Sequence, residues 1–124
     1  MKKIPPVRHF FRKPVYPVII DIKGTLICGF SASTLARRLS KLSDLEDQAY
    51  RAIDSTGEGW SFYSVHWILT PLTLKKRWTK LEIIRLFNDR KNKNPGNCQY
   101  SEKSLSSKRL VKIIYEIVEL LDKT

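Results

Sequence analysis

Lysine and arginine gathered around a tryptophan give this sequence its most specific chemical signal. Leu74-Lys75-Lys76-Arg77-Trp78-Thr79-Lys80 sets four cations beside one indole. Cations neutralise phosphates and release their counterions, and an indole stacks on an unpaired base. A second basic run, Arg90-Lys91-Asn92-Lys93, follows the next apolar segment. If that segment is a helix, the free N–H groups at its start add an anion site, and cations beyond its last turn also suit its dipole. The first fourteen residues carry Lys2, Lys3, Arg8, Arg12 and Lys13, with His9, Phe10 and Phe11 and no acid. Basic arms of this composition order on nucleic acid. The competing reading is structural: Trp78 packs in the core, the cations are solvated, and Phe10 or Phe11 docks on the body.

The carboxylates offer a second chemistry. Val18-Ile19-Ile20-Asp21-Ile22-Lys23-Gly24-Thr25-Leu26 resembles the first motif of haloacid dehalogenase-type phosphotransferases, an apolar strand ending in Asp-x-Asp-Gly-Thr. That resemblance implies Asp21 as nucleophile. Lys23, however, stands where the family has its general acid, and no later acidic pair follows an apolar strand. Asp21-Ile22-Lys23 also resembles the acid-x-Lys end of restriction-type nuclease sites, since strand alternation puts Asp21 and Lys23 on one face. Such sites need another metal-binding acid, usually upstream, and Asp21 is the first acid of the chain. Only a rearranged site using Asp54 or Glu58 remains. A cross-strand ion pair is the structural expectation for this motif.

Asp54-Ser55-Thr56-Gly57-Glu58-Gly59 lacks the lysine and spacing of a P-loop, and Glu58 would repel phosphate; it reads as a hairpin turn. His9, His66, Cys28 and Cys98 lack paired zinc spacing. No catalytic residue, metal ligand or cofactor is therefore assigned.

Residues 15–30 have the composition of two strands around Lys23-Gly24. Residues 33–43 place Leu35, Leu39 and Leu42 on one face of a short helix capped by Ser31 or Ser33. Residues 48–54 and 60–65 suggest a second hairpin, although Leu45, Ala49 and Ile53 also keep helical spacing. Thr79-Lys80-Leu81-Glu82 is a capping box opening a helix over 80–91. Its buried stripe is Ile83, Ile84, Leu86 and Phe87, and its outward face carries Glu82, Arg85, Asn88 and Asp89. Acids there would repel a DNA backbone, so contacts are expected from the two ends of the helix, reading backbone more than sequence. A last helix over 104–122 has an apolar arc of about half its circumference, wider than the usual ~100° stripe. It lies deep against a sheet or meets a second surface.

The chain has 124 residues with 42% apolar and 28% charged side chains, enough for one small core. No apolar run approaches the roughly 18 residues of a membrane span. Prolines 5, 6, 14 and 17 spoil a transit helix, and two cysteines are too few for a disulfide framework; a cytoplasmic setting is expected. The net charge is +11. Residues 45–70 carry only Arg51 against Glu46, Asp47, Asp54 and Glu58, so the surplus sits in the arm and in residues 71–95. Clustered surplus charge attracts polyanions.

The expectation is an extended basic arm, 1–14, followed by one α+β domain, 15–124: a small antiparallel sheet of two hairpins packed by about three helices. The expected function is non-catalytic nucleic-acid binding, RNA or a single strand before a duplex groove. Phosphate contacts would come from Lys75, Lys76, Arg77, Lys80, Arg90, Lys91 and Lys93, with Trp78 stacking and Lys2, Lys3, Arg8, Arg12 and Lys13 assisting. The alternative is an adapter subunit of a ribonucleoprotein or phage or mobile-element assembly, binding a protein partner or a second copy through Leu110–Leu121. A metal-dependent nuclease ranks third.

Overall fold

Val18–Ile22 (β2) is buried along its whole length, which requires cover on both faces of the sheet it belongs to. The computed structural model describes residues 5–42, 45–91, 100 and 108–122, and supplies that cover. β2 pairs antiparallel with Thr25–Gly29 (β3) through the expected Lys23-Gly24 turn, where both residues have positive φ (53° and 95°). That is the conformation a tight two-residue hairpin demands. On its other side β2 pairs antiparallel with Ala49–Ile53 (β4). β4 pairs with Gly59–Tyr63 (β5), which closes the second expected hairpin.

The sheet then goes further than two hairpins. Ile68–Pro71 (β6) pairs antiparallel with β5, and Arg8–His9 (β1) pairs parallel with β6. The result is a six-stranded mixed sheet in the order β1-β6-β5-β4-β2-β3. The arm, expected to be extended and apart from the domain, joins the sheet despite its prolines. They flank residues 7–10, leaving those N–H groups available: Arg8 N donates to Trp67 O at 2.9 Å and Phe10 N to Leu69 O at 3.2 Å. Pro71 closes β6 at its last position, where a missing donor costs least.

Ala32–Leu39 (α1) follows β3, with Ser31 as its N-cap. Leu35, Ala36 and Leu39 pack with Val18, Ile20, Tyr50, Ala52, Trp60 and Phe62 on one face of the sheet. Lys80–Asn88 (α2) and Leu110–Asp122 (α3) cover the other. There Ile83, Ile84, Phe87, Ile113, Ile114, Ile117 and Val118 close over Ile19, Leu26, Cys28 and Ile53. All three helices are shorter than the apolar patterns suggested. The expected start of the last helix and the 92–97 loop lie outside the described residues. The 45–53 spacing that also fitted a helix resolves as strand: Tyr50 and Ala52 point into the core, and Ala49 and Arg51 out of it.

Among the described residues, no helix is long and apolar enough to cross a membrane.

Candidate nucleic-acid interface

Alternation sorts each strand's side chains between the faces. In β4 and β5, Tyr50, Ala52, Trp60 and Phe62 meet α1. Their alternates form the opposite face. The register places Arg51 beside Ser61 and Ser61 beside Thr70, and it aligns Ala49, Tyr63, Ile68 and Arg8 in a second row. Phe10 continues the Arg8 side of β1 by the same alternation. α2 and α3 cover this face only over β2, β3 and Ile53. The remainder is open: Ala49, Arg51 and Tyr63 are exposed, and Ser61, Ile68 and Thr70 are partly so.

Trp78 marks the border between the covered and open halves. Its indole is buried, only 6% exposed, and the extended 72–78 segment holds it there. Trp78 N donates to Gly57 O and Gly59 N to Lys76 O, each at 2.7 Å. The Arg51 guanidinium lies 5.3 Å from the ring centroid and the Lys76 ammonium 4.7 Å. Arg51 also donates from Nε to Asp21 Oδ2 at 2.7 Å, while Gly24 N donates to Asp21 Oδ1 at 2.7 Å. The cross-strand ion pair expected for the Asp21 motif thus forms with Arg51 of β4, while the Lys23 ammonium meets Glu46 at 2.5 Å.

Three adjoining depressions run across the open face. The first is walled by Phe10, Tyr63, Ile68 and Thr70, the second by Arg51, Ser61, Lys76 and Trp78, the third by Lys23, Arg85, Glu82 and Asp89. Ala49 joins the first to the second, and Arg51 and Trp78 join the second to the third. One trough results, apolar at the β1 end and charged at the α2 end. Its exposed cations are Lys23, Arg51, Lys76 and Arg85, against Asp21, Glu82 and Asp89, with the buried Arg90 in its wall. The Glu82 carboxylate accepts from Thr79 N at 2.9 Å in the capping box, and this bond holds its pKa below the ordinary value.

The 75–77 run splits over two sides because the segment is extended. Lys76 turns to Trp78 and to Glu82, 3.8 Å away. The backbone of Arg77 pairs antiparallel with that of Glu58, and its side chain donates to Thr56 O at 3.2 Å on the other side. Glu58 is buried and takes both guanidinium arms of Arg12. The Arg12 hydrogen bond, then the charges of Arg12, Lys75 and Arg77, hold the Glu58 carboxyl below its usual range against its burial. Arg12 also lies over Trp60, 5.1 Å from the ring centroid.

Other expected contacts fall elsewhere. The Arg90 side chain is buried, stacked 3.8 Å over Phe87 with Nη1 donating to Phe87 O at 2.7 Å. It ends α2 from inside, so no phosphate reaches it in this arrangement. Lys91 is exposed, its backbone N–H bonded to Gly24 O and its side chain lying along that glycine. Lys80 sits partly exposed in the first turn of α2, and Lys13 is exposed in the arm. Arg8 is exposed beside His66 O, 3.4 Å from Nη2. Lys2, Lys3, Lys93 and Cys98 lie outside the described residues.

The carboxylates proposed for catalysis are engaged by protein donors. Asp54 Oδ1 accepts from Thr56 N, Thr56 Oγ1 and Glu58 N, and Oδ2 from Trp60 Nε1 at 3.1 Å and Val15 N at 3.4 Å. This network makes the 54–58 segment a structural hairpin turn. Among the described residues, no group of three His, Cys, Asp or Glu side chains is placed to hold a metal ion.

Arg51 and Tyr63 were not among the residues expected at the surface site, whereas Phe10 was expected within the basic arm. The alternation of AYRAI and GWSFY carried the signal, since Arg51 and Tyr63 occupy the positions opposite the buried aromatics. Comparison with protein-family models, with curated proteins and with solved structures returned no match.

Proposed function

We propose that this chain is a non-catalytic nucleic-acid-binding protein, with phosphates drawn to the cations around α2 and along the trough. One observation carries the reading. The open half of the sheet, where a helix would complete a core, is bordered by Arg8, Lys23, Arg51, Lys76 and Arg85 in a chain of net charge +11. Two of the acids that gave residues 45–70 their negative balance are withdrawn from the open face, and a third is paired. Asp54 and Glu58 are buried among donors and Glu46 pairs with Lys23.

Lys75, Arg77, Lys80 and Lys91 at the two ends of α2 supply backbone contacts, with Lys13 and the rest of the arm assisting. Trp78 holds Arg51 and Lys76 in place and does not itself stack on a base. Titration of fluorescein-labelled oligonucleotides at several salt concentrations tests this. Affinity falls steeply with salt, and each phosphate contact removed lowers the slope of log K against log [salt] by about one. Lys75→Gln with Lys91→Gln, both exposed, is the informative variant. Salt-independent or absent binding refutes the reading.

A second reading rests on α3. Val111 and Tyr115 are exposed, and Tyr115 meets exposed Phe30 with ring centroids 5.9 Å apart. This patch would be the contact of an adapter subunit. Ile117, within the expected contact surface, is fully buried in the monomer; its apolar arc is spent on the sheet. Sedimentation of the wild type against Tyr115→Asp tests the patch directly.

A further inference from the structure

We infer that the open face of the sheet is a platform for single-stranded nucleic acid, with Phe10 and Tyr63 as base-stacking surfaces and with Arg8, at the β1 end of the Tyr63 row, and Arg51, at the β4 end of the next row, as the phosphate contacts that flank them. The inference rests on the nucleic-acid reading above and names the form of its ligand.

Four observations lead there. First, the face is uncovered: Phe10 is 45% and Tyr63 46% exposed, although both are large aromatics. An exposed aromatic on a strand is costly to leave in water, and a flat π-surface standing beside cations suits a base more than a second protein core. Second, the two aromatics are set apart across the face. Tyr63 stands on β5 and Phe10 directly after β1, with β6 between them. Tyr63 shares the Arg8 row and Phe10 the next one, so the two positions differ by about two inter-strand steps of roughly 4.8 Å and by about two residues, ~6.6 Å, along the strands, a diagonal of about 12 Å. Third, the charge is complementary. Arg8 shares the row of Tyr63, and Arg51 stands one row on, fixed by Asp21 at 2.7 Å and laid over Trp78. Fourth, the surface is continuous from Phe10 to Lys23, and from β1 to β2 it extends about 19 Å at ordinary strand spacing.

A duplex fits this arrangement poorly. Its bases face inward, so Phe10 and Tyr63 would meet only backbone. Unpaired bases present their faces, and every base has one, so the platform is tolerant of sequence. Ser61 and Thr70 continue the Arg51 row toward the Phe10 end of the face.

The test uses the full chain and labelled oligonucleotides of about ten nucleotides, inside the range of roughly 4–16 that OB-fold single-strand binders occupy: single-stranded RNA, single-stranded DNA of the same sequence, and the duplex. Single strands bind at least about tenfold more tightly than duplex at equal salt, and Tyr63→Ala lowers single-strand affinity by about tenfold or more, the loss of one stacked base. Tyr63→Phe restores it, because the ring and not the hydroxyl is used. Phe10→Ala behaves likewise. Circular dichroism of these exposed-site variants reports that the fold is retained. The RNA and DNA arms separate the two sources of the same chemistry. Duplex binding as tight as single-strand binding, or single-strand binding indifferent to Tyr63→Ala and Phe10→Ala, overturns the platform while leaving nucleic-acid binding standing. No binding of any probe overturns both.

Discussion

Arg51 reaches from β4 to Asp21 on β2, donating Nε–H at 2.7 Å, and lays the same guanidinium beside the Trp78 indole. The two contacts fix a surface cation at the border between the covered and open halves of the sheet. Asp21 is 92% removed from solvent by its 8% exposure, whereas the Arg51 side chain is 60% exposed. The acid is therefore the anchor, and the arginine is the part presented outward.

Asp21→Ala removes an acceptor from both Gly24 N–H and Arg51. Lost hydrogen bonds to a buried carboxylate cost about 1.5–3 kcal/mol each at most. The expected outcome is a lower urea midpoint with unchanged m-value, together with weaker oligonucleotide binding because Arg51 loses its tether. A Mg²⁺-dependent cleavage activity in the wild type, abolished in this variant, would instead restore the nuclease interpretation of the Asp21-Ile22-Lys23 motif.

Much of this arrangement was legible beforehand, and the reasons for the rest are local. The Lys23-Gly24 turn and the Thr79/Glu82 capping box are set by neighbouring residues, and both formed as read. β1 was not legible because it depends on a distant partner, Ile68 and Leu69; β6 pairs with the neighbouring β5, but the turn between them carries Trp67, not glycine, at a positive φ of 52°. The interface was hidden by averaging. Counting charge over residues 45–70 made the stretch look acidic, yet Asp54 is consumed by five hydrogen bonds and Glu58 by Arg12, while Arg51 faces out. Similarly, three consecutive cations looked like one patch until extended backbone sent Lys76 and Arg77 to different sides.

Glu58 makes the fold acid-sensitive. Its pKa is held below the ordinary carboxylate value, chiefly by the Arg12 hydrogen bond. The unfolded chain therefore binds the proton more readily than the native one. The stability Glu58 contributes is fully present above its unfolded pKa and is lost as pH falls through the lower folded value. Thermal melts of the wild type decline over that acidic interval. Glu58→Gln, less stable at neutral pH, declines less, and the two curves converge toward low pH.

Gly57 and Gly24 both have positive φ, but only Gly57 sits against a core side chain. A Cβ at Gly57 would lie 2.3 Å from Leu110 Cδ2, while one at Gly24 would meet the flexible stem of Lys91 at 3.0 Å. Both alanine variants carry backbone strain of about 1 kcal/mol. Gly57→Ala also displaces the start of α3, so its midpoint falls further than that of Gly24→Ala in parallel denaturant titrations.

Thr79 tests how far α2 positions the trough. Its side chain accepts from Glu82 N at 3.2 Å, and Glu82 returns the bond to Thr79 N. Thr79→Ala costs about 1 kcal/mol, the usual loss of an N-cap. The alanine variant keeps the Thr79 N–H that Glu82 accepts from, so the loss falls on Glu82 N–H, and hydrogen exchange rises first at the N-terminal turn of α2.

Trp78 separates stacking from support. Its indole belongs to the core cluster of α2 and α3, and two cations lie over the ring. Trp78→Ala opens a cavity and costs about 3–5 kcal/mol, as large core truncations do. Trp78→Phe keeps an aromatic surface beneath Arg51 and Lys76, so oligonucleotide affinity stays within about threefold of wild type, less than the roughly tenfold effect of losing a stacked base. Were Trp78 itself the stacking residue, oligonucleotides would quench its fluorescence strongly in a variant whose other tryptophans, Trp60 and Trp67, are phenylalanine. With the ring buried, such quenching stays small while Tyr63→Ala still abolishes the single-strand preference.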